Sequence, residues 1–136
     1  MVSGFCRILK FSNHEAMQLG DLTADELLER FVALGVEQDK AENDDDMPSV
    51  KRLFWLIDEV VAELKSRPDD QRSVLTSLYD YPNMNVRLKA AKATLAVAPQ
   101  AARRAIEAIA ASTWPPQCYD GRMCLRMLDE GVFKPN

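Results

Sequence analysis

A single histidine, His14, is all the imidazole in this 136-residue chain, and its three cysteines, Cys6, Cys118 and Cys124, are an odd number with no close pair. A disulfide framework needs an even and denser set, and a zinc site needs closer spacing with more His or Cys ligands. No apolar run approaches the roughly 18 to 20 residues of a membrane-spanning helix. The first residues, interrupted by Arg7, lack the long apolar centre and small-residue cleavage site of a secretory signal. Buried or idle thiols, no cofactor, no metal and cytoplasmic residence are therefore expected. The shortage of histidine also thins out the enzyme classes, because nucleophile and base pairs need His, Cys or activated Ser within reach of one another. Asp58, Glu59 and Glu63 share part of one helix side, as a diacid site would. Carboxylates on a charged helix face are the commoner meaning, so a non-enzymatic protein is expected.

What is present is ordinary for a globular chain: 47% hydrophobic and 28% charged residues, enough for one domain with a real core. Residues 1–20 lack a clear period and hold Gly4, Ser12, Asn13 and Gly20. They read as an irregular leader, with the natural start at Met17, ahead of a single domain over 21–136. The net charge of -4 hides an asymmetry. Residues 1–64 carry six Lys or Arg against fourteen Asp or Glu, whereas 65–136 carry eleven against seven. Such a dipolar chain can steer partners of either sign, although solvated charged faces are the commoner cause.

Helix signals then follow one another. Thr23-Ala24-Asp25-Glu26 spells a capping box, opening a helix with Leu27, Leu28, Phe31, Val32 and Leu34 on one face that fades over 39–46. The acidic run Asp44-Asp45-Asp46 lacks the spaced ligands and central Gly of a calcium loop and reads as a solvated turn. Pro48 suits the first turn of a second helix reaching about residue 67. Its buried face includes Val50, Leu53, Phe54, Leu56, Ile57, Val60, Val61 and Leu64. Trp55 projects the other way, among Lys51, Arg52, Asp58 and Glu59. It reads either as a partner contact or as an aromatic covered by the leader, through Phe5 or Phe11, or by another helix.

A shorter helix is expected over 70–80, with Val74, Leu75, Leu78 and Tyr79 inward. Tyr81-Pro82-Asn83 then turns the chain into a longer helix ended by Ala98-Pro99, with Asn83 and Asn85 as suitable cap and turn residues. It carries two apolar stripes: Val86, Ala90, Ala93 and Val97 on one side, Leu88, Ala91, Leu95 and Ala98 on the other. Two stripes separated by charge imply neighbours on both sides, as in a stacked array. Pro99 starts a fifth helix to about 112, with Ala101, Ala105, Ile106, Ala108 and Ile109 inward and Arg103, Arg104 and Glu107 outside. Trp114-Pro115-Pro116 breaks the chain, and a last helix runs to Gly131, after which Val132 and Phe133 fold back as a plug.

Residues 72–78 overlay 103–109 at an offset of 31, which puts Ala90 on Gly121 and Ala93 on Cys124. Small residues there permit close helix approach. The expected fold is thus all-α, an α-α superhelix of about six helices in antiparallel hairpins. Tyr81-Pro82-Asn83-Met84-Asn85-Val86-Arg87, followed by Ala90, Ala91 and Leu95, resembles the Asp-Pro, Val-Arg, Ala and Leu pattern of HEAT and armadillo repeats. In those repeats the acidic residue and the arginine commonly form a ladder, and Tyr81 stands in the acidic place here. Residues 22–135 are also similar to a family of small bacterial proteins of unknown function with a HEAT-like fold. That likeness rests on Asp70-Gln71-Arg72, Val86-Arg87-Leu88, Ala90-Ala91-Lys92, Ala98-Pro99 and Leu128-Asp129-Glu130-Gly131. It implies the fold and carries no activity.

The function expected is a protein-protein interaction or scaffold module with an unidentified protein partner. Trp55, Lys89, Lys92, Arg103 and Arg104 are the candidate partner-binding residues. The alternative is a nucleic-acid-binding helical repeat. It is disfavoured by a sequence pI near 5.0 and by cations pointing to different sides of the helices, where phosphate binding wants one continuous face. Mass determination of the natively expressed protein tests the start: a species beginning at Met17 is expected, and a dominant full-length species removes that expectation.

Overall fold

The computed structural model describes residues 18–136, and among them there is no strand. Of the leader expected over 1–20, only the last three residues fall within this range, and the proposed start at Met17 lies outside it. The described residues hold five α-helices and two 3-10 helices, of three and eight residues, as the all-helical reading expected. They divide into two compact units between Gln71 and Arg72.

The first unit is a helical hairpin, entered through a 3-10 turn at Leu19–Asp21. Helix α1, Ala24–Asn43, begins at the expected capping box. The Glu26 amide donates to the Thr23 hydroxyl at 3.1 Å and the Thr23 amide to Glu26 Oε1 at 2.9 Å. A three-residue turn with Asp45 at φ 58 leads to helix α2, Met47–Ser66. Asp46 caps α2 by accepting the Ser49 amide at 3.3 Å, and that hydrogen bonding holds its carboxyl below the usual range. Leu27, Phe31 and Leu34 of α1 are buried, as are Leu53, Ile57, Val60 and Leu64 of α2. The buried Gln38 amide donates to the Val50 carbonyl at 3.1 Å beside the turn. At the opposite end Arg67 donates to the Leu19 carbonyl at 3.1 Å and pairs with Glu63 at 3.0 Å. The end of α2 thus lies against the entry to α1, so the pair is antiparallel.

The helix expected over 70–80 is a 3-10 helix, Gln71–Leu78, which belongs to the second unit from Arg72 onward. Its buried residues, Arg72, Leu75 and Leu78, recur every third position, the period of a 3-10 helix. Thr76 and Ser77 donate their hydroxyls to the carbonyls three residues back, at 2.8 and 3.0 Å, a local competition that disfavours the wider α-helical turn. Asn83 caps helix α3, Met84–Ala93, by accepting the Val86 amide at 3.1 Å. Both expected stripes are buried within it: Val86 and Ala90 on one side, Leu88 and Ala91 on the other. The helix stops five residues earlier than expected. The Thr94 hydroxyl engages the carbonyls of Ala90 and Ala91 and meets the Tyr79 hydroxyl at 2.6 Å, so a turn replaces the final stretch before Pro99.

Helices α4, Pro99–Ala110, and α5, Gln117–Asp129, complete the unit. Arg122 near the start of α5 donates to the Ala110 carbonyl at the end of α4, at 2.9 Å. Arg103 near the start of α4 pairs with Asp129 at the end of α5, at 3.0 Å. They are therefore antiparallel. Leu88, Ala91 and Leu95 pack with Ala102, Ile106, Ile109 and Cys124 in one core. The inward face of α4 is rotated from the expected one: Ala102 and Ala110 are buried, Ala101 and Ala105 are half-buried and Ala108 is exposed. α4 meets α3 and α5 through the 102, 106, 109 and 110 side, with Ala105 at the edge of the core and Ala108 facing outward. Gly131 ends α5 at φ 74, with its amide on the Leu128 carbonyl and that of Val132 on the Met127 carbonyl, a Schellman closure. Only Phe133 turns back onto the core; Val132, expected in the same plug, is 65% exposed.

Gly121 shows why small residues matter in this unit. A Cβ there would meet the Ala110 amide nitrogen at 3.3 Å and the Ile106 carbonyl at 3.4 Å, backbone atoms that cannot rotate away. Gly121→Val is expected to lower stability by about 1–3 kcal/mol through overpacking. Gly20→Ala, where the space is open, should change it by less than about 0.5 kcal/mol. Urea denaturation of both variants checks the contrast.

Candidate functional surfaces

The outward side of α2 carries two adjacent aromatics. Trp55 is 62% exposed, and Phe54, expected on the buried face, is 45% exposed. Leu53, Ile57, Val60 and Leu64 form a narrow buried stripe, and Phe54 is rotated about 100° from Leu53, outside it. The two rings meet edge-on, with centroids 5.1 Å apart and planes at 84°. Lys51, Arg52, Asp58 and Glu59 around them are exposed. Phe5 and Phe11, the leader aromatics considered as a cover for Trp55, lie outside the described residues. The three carboxylates with diacid spacing have separate surroundings: Glu63 pairs with Arg67, Glu59 acts on the partly buried Arg30, and Asp58 is exposed. Burial lowers the affinity of Arg30 for its proton, and the charge of Glu59 opposes that effect.

The four candidate cations all belong to the second unit, and they do not share one surface. Lys89 and Lys92 were expected on an open edge but are half-buried. Both flanks of α3 are covered, which leaves the lysines only partly accessible between the two buried stripes. Lys92 lines a cavity of about 360 Å³ with Asp120, Cys124, Met127 and Phe133 among its walls. Arg103 is engaged on two sides, with Asp129 at 3.0 Å and Glu107 at 3.1 Å. Hydrogen bonds to Asp129 and Glu107 raise its already high affinity for a proton. Arg104, the next residue, is exposed and lines a different cavity, of about 390 Å³, with Arg87, Tyr79, Met84 and Ile109.

A third surface escaped the sequence reading. Trp114, Tyr119 and Met123 are 59%, 62% and 47% exposed. The Arg122 guanidinium lies 5.4 Å from the centre of the Tyr119 ring, and Arg126 donates to the Met123 sulfur at 3.3 Å. The signal was available: Tyr119, Arg122, Met123 and Arg126 recur at i, i+3, i+4 and i+7, one face of a helix. Trp114 drew notice only as part of a chain break.

Cys118 and Cys124 are unpaired and buried; Cys6 lies outside the described residues. Burial pushes the Cys124 thiol up, and the charges of Lys92 and Arg103 oppose that only in part. Among the described residues no three His, Cys, Asp or Glu side chains come together as a metal site. No helix there is long and apolar enough to cross a membrane.

The chain belongs to the family described as a domain of unknown function, DUF2019, whose model matches residues 25–129. A solved structure, the protein RPA1889 from Rhodopseudomonas palustris CGA009, is 48% identical and superposes with a TM-score of 0.86. The match covers 88% of this chain and 99% of that one, and it supports the helical architecture along with the small bacterial family. No curated protein matches the chain. The state of Cys124 yields a direct expectation. At pH 8 its raised pKa leaves less thiolate than an ordinary free cysteine has, so iodoacetamide should label it several-fold more slowly in the folded protein than in urea. Peptide mapping by mass spectrometry reads the difference.

Proposed function

We propose that this DUF2019 member is a non-enzymatic protein-interaction module, acting in the cytoplasm, whose HEAT-like helical hairpins serve as a rigid frame for partner-binding surfaces. The observation that carries the reading is Trp55, exposed on a helix that buries its other side. Trp is enriched at binding hot spots because its broad, stiff surface gains much on desolvation and loses little conformational entropy. Phe54 extends the same surface, and the surrounding charges would supply a polar rim.

The HEAT-like part of this reading is supported by hairpins joined through short turns and by the doubly buried α3. The likeness has two departures. Arg87 donates to the Tyr81 carbonyl, so the arginine closes its own turn in place of an acidic ladder. The first helix of one proposed repeat is a 3-10 helix of eight residues where its counterpart is an α-helix of twelve. The nucleic-acid alternative has less support, because Arg103 is neutralised by two carboxylates while Arg104 and Lys92 line different cavities.

Affinity purification from the source cell, with and without Trp55→Ala, tests the reading. A specific protein is expected to co-purify with the unmodified chain. Truncating a hot-spot Trp removes about 2 kcal/mol or more of binding, so that protein should be lost from the variant. Recovery of nucleic acid, or of the same partner with both forms, counts against the assignment.

A further inference from the structure

Two adjacent arginines on α4 have opposite circumstances. Arg103 meets Asp129 and Glu107. Arg104 lines a cavity of about 390 Å³ that has no carboxylate in its wall, and it makes no ion pair or hydrogen bond among the described residues. The same cavity receives Arg87 from α3. The Nε of Arg87 is committed to the Tyr81 carbonyl, which restrains the guanidinium and leaves its two terminal nitrogens for a ligand. The rest of the wall is mostly apolar: Ala101, Ala105 and Ala108 flank Arg104 on one face of α4, and Ile109, Met84, Tyr79 and Ser112 complete the lining. The alanines recur at i, i+4 and i+7 around Arg104, so the guanidinium is the one long group that α4 offers an incoming chain on that face.

From this geometry we propose that the cavity is a docking groove for an acidic peptide segment of a partner protein, one with an apolar side chain flanked by carboxylates. Charge complementarity selects that occupant. The guanidiniums are forked donors matched to carboxylates, the volume is within the range that takes a few side chains, and the small apolar wall suits an aliphatic residue between the two charges. The unit from Arg72 onward carries nine Lys or Arg against five Asp or Glu, which favours the approach of an acidic partner. A nucleic acid would present phosphates at regular intervals without an aliphatic group for the apolar wall, and its binding needs a longer continuous run of cations. This deepens the interaction reading and rests on it for the partner's being a protein. It concerns the Arg87 and Arg104 groove alone, so failure here leaves the Trp55 surface to its own test.

Fluorescence polarisation with the full chain and a labelled hexapeptide alternating glutamate and leucine tests the groove. Its glutamine-for-glutamate counterpart and a single-stranded DNA hexamer serve as comparisons. Binding of the glutamate peptide is expected, weakening as salt rises, with the glutamine peptide and the DNA several-fold weaker. Arg104→Glu should reduce affinity for the glutamate peptide by roughly tenfold or more, and Arg103→Gln should leave it within about twofold. Arg104 is exposed and makes no contact the fold needs, so circular dichroism of Arg104→Glu should match that of the unmodified chain. Equal binding of the glutamine peptide, stronger binding of the DNA, or affinity unchanged by Arg104→Glu would each overturn the proposal, as would no binding of the glutamate peptide at all.

Discussion

The burial of α3 on two opposite sides is the constraint on which the second unit depends. Val86 and Ala90 are fully buried on one flank, Leu88 and Ala91 on the other, and the alanines keep the helix slim enough for close neighbours. Leu88 and Ala91 join Leu95 in the core built with α4 and α5. That core draws on the 102, 106 and 109 positions of α4, keeps Ala105 at its edge and leaves Ala108 exposed. The groove containing Arg87 and Arg104 is thus a consequence of how α4 must rotate to meet α3 and α5. The same crowding at Gly121 brings α5 against the backbone of α4.

Arginines hold the turns of both units. Arg67 donates to the Leu19 carbonyl, Arg87 to that of Tyr81 and Arg122 to that of Ala110. Carbonyls at helix ends and turns have no partner within a helix, and a guanidinium can satisfy one while still meeting a second group. Arg67 also pairs with Glu63, and Arg122 also lies over Tyr119. A count of positive charge along the chain therefore overstates what is available to a ligand. Several of these cations close turns or, like Arg103, join helices, and the candidate contacts reduce to particular side chains on separate surfaces.

Signals confined to one turn of chain were legible in advance. The capping box at Thr23, the start of α2 beside Pro48, the cap at Asn83 and the Gly131 ending all depend on groups within about four residues of one another, so their chemistry is present in the sequence itself. The two apolar stripes of α3 were legible for a related reason, because helical periodicity converts spacing directly into direction. The surface containing Tyr119, Arg122 and Met123 had the same kind of spacing and was overlooked. The end of α3 was different in kind: Thr94 is an acceptable helix residue until its hydroxyl meets Tyr79, fifteen positions away.

The sequence by itself determined an all-helical chain, the order of its helices and several of their caps, because these follow from local geometry and the period of apolar residues. Tertiary structure decided which part of each apolar face is covered. Phe54 and Val132 are exposed, Ala102 is buried in place of Ala101, and Lys89 and Lys92 are half-buried, although none of these differences alters a local propensity. Burial is set by the neighbour that arrives, and a rotation of one residue along a helix moves a side chain by about 100°. That rotation carries Phe54 out of a core and opens the groove that Arg87 and Arg104 both line.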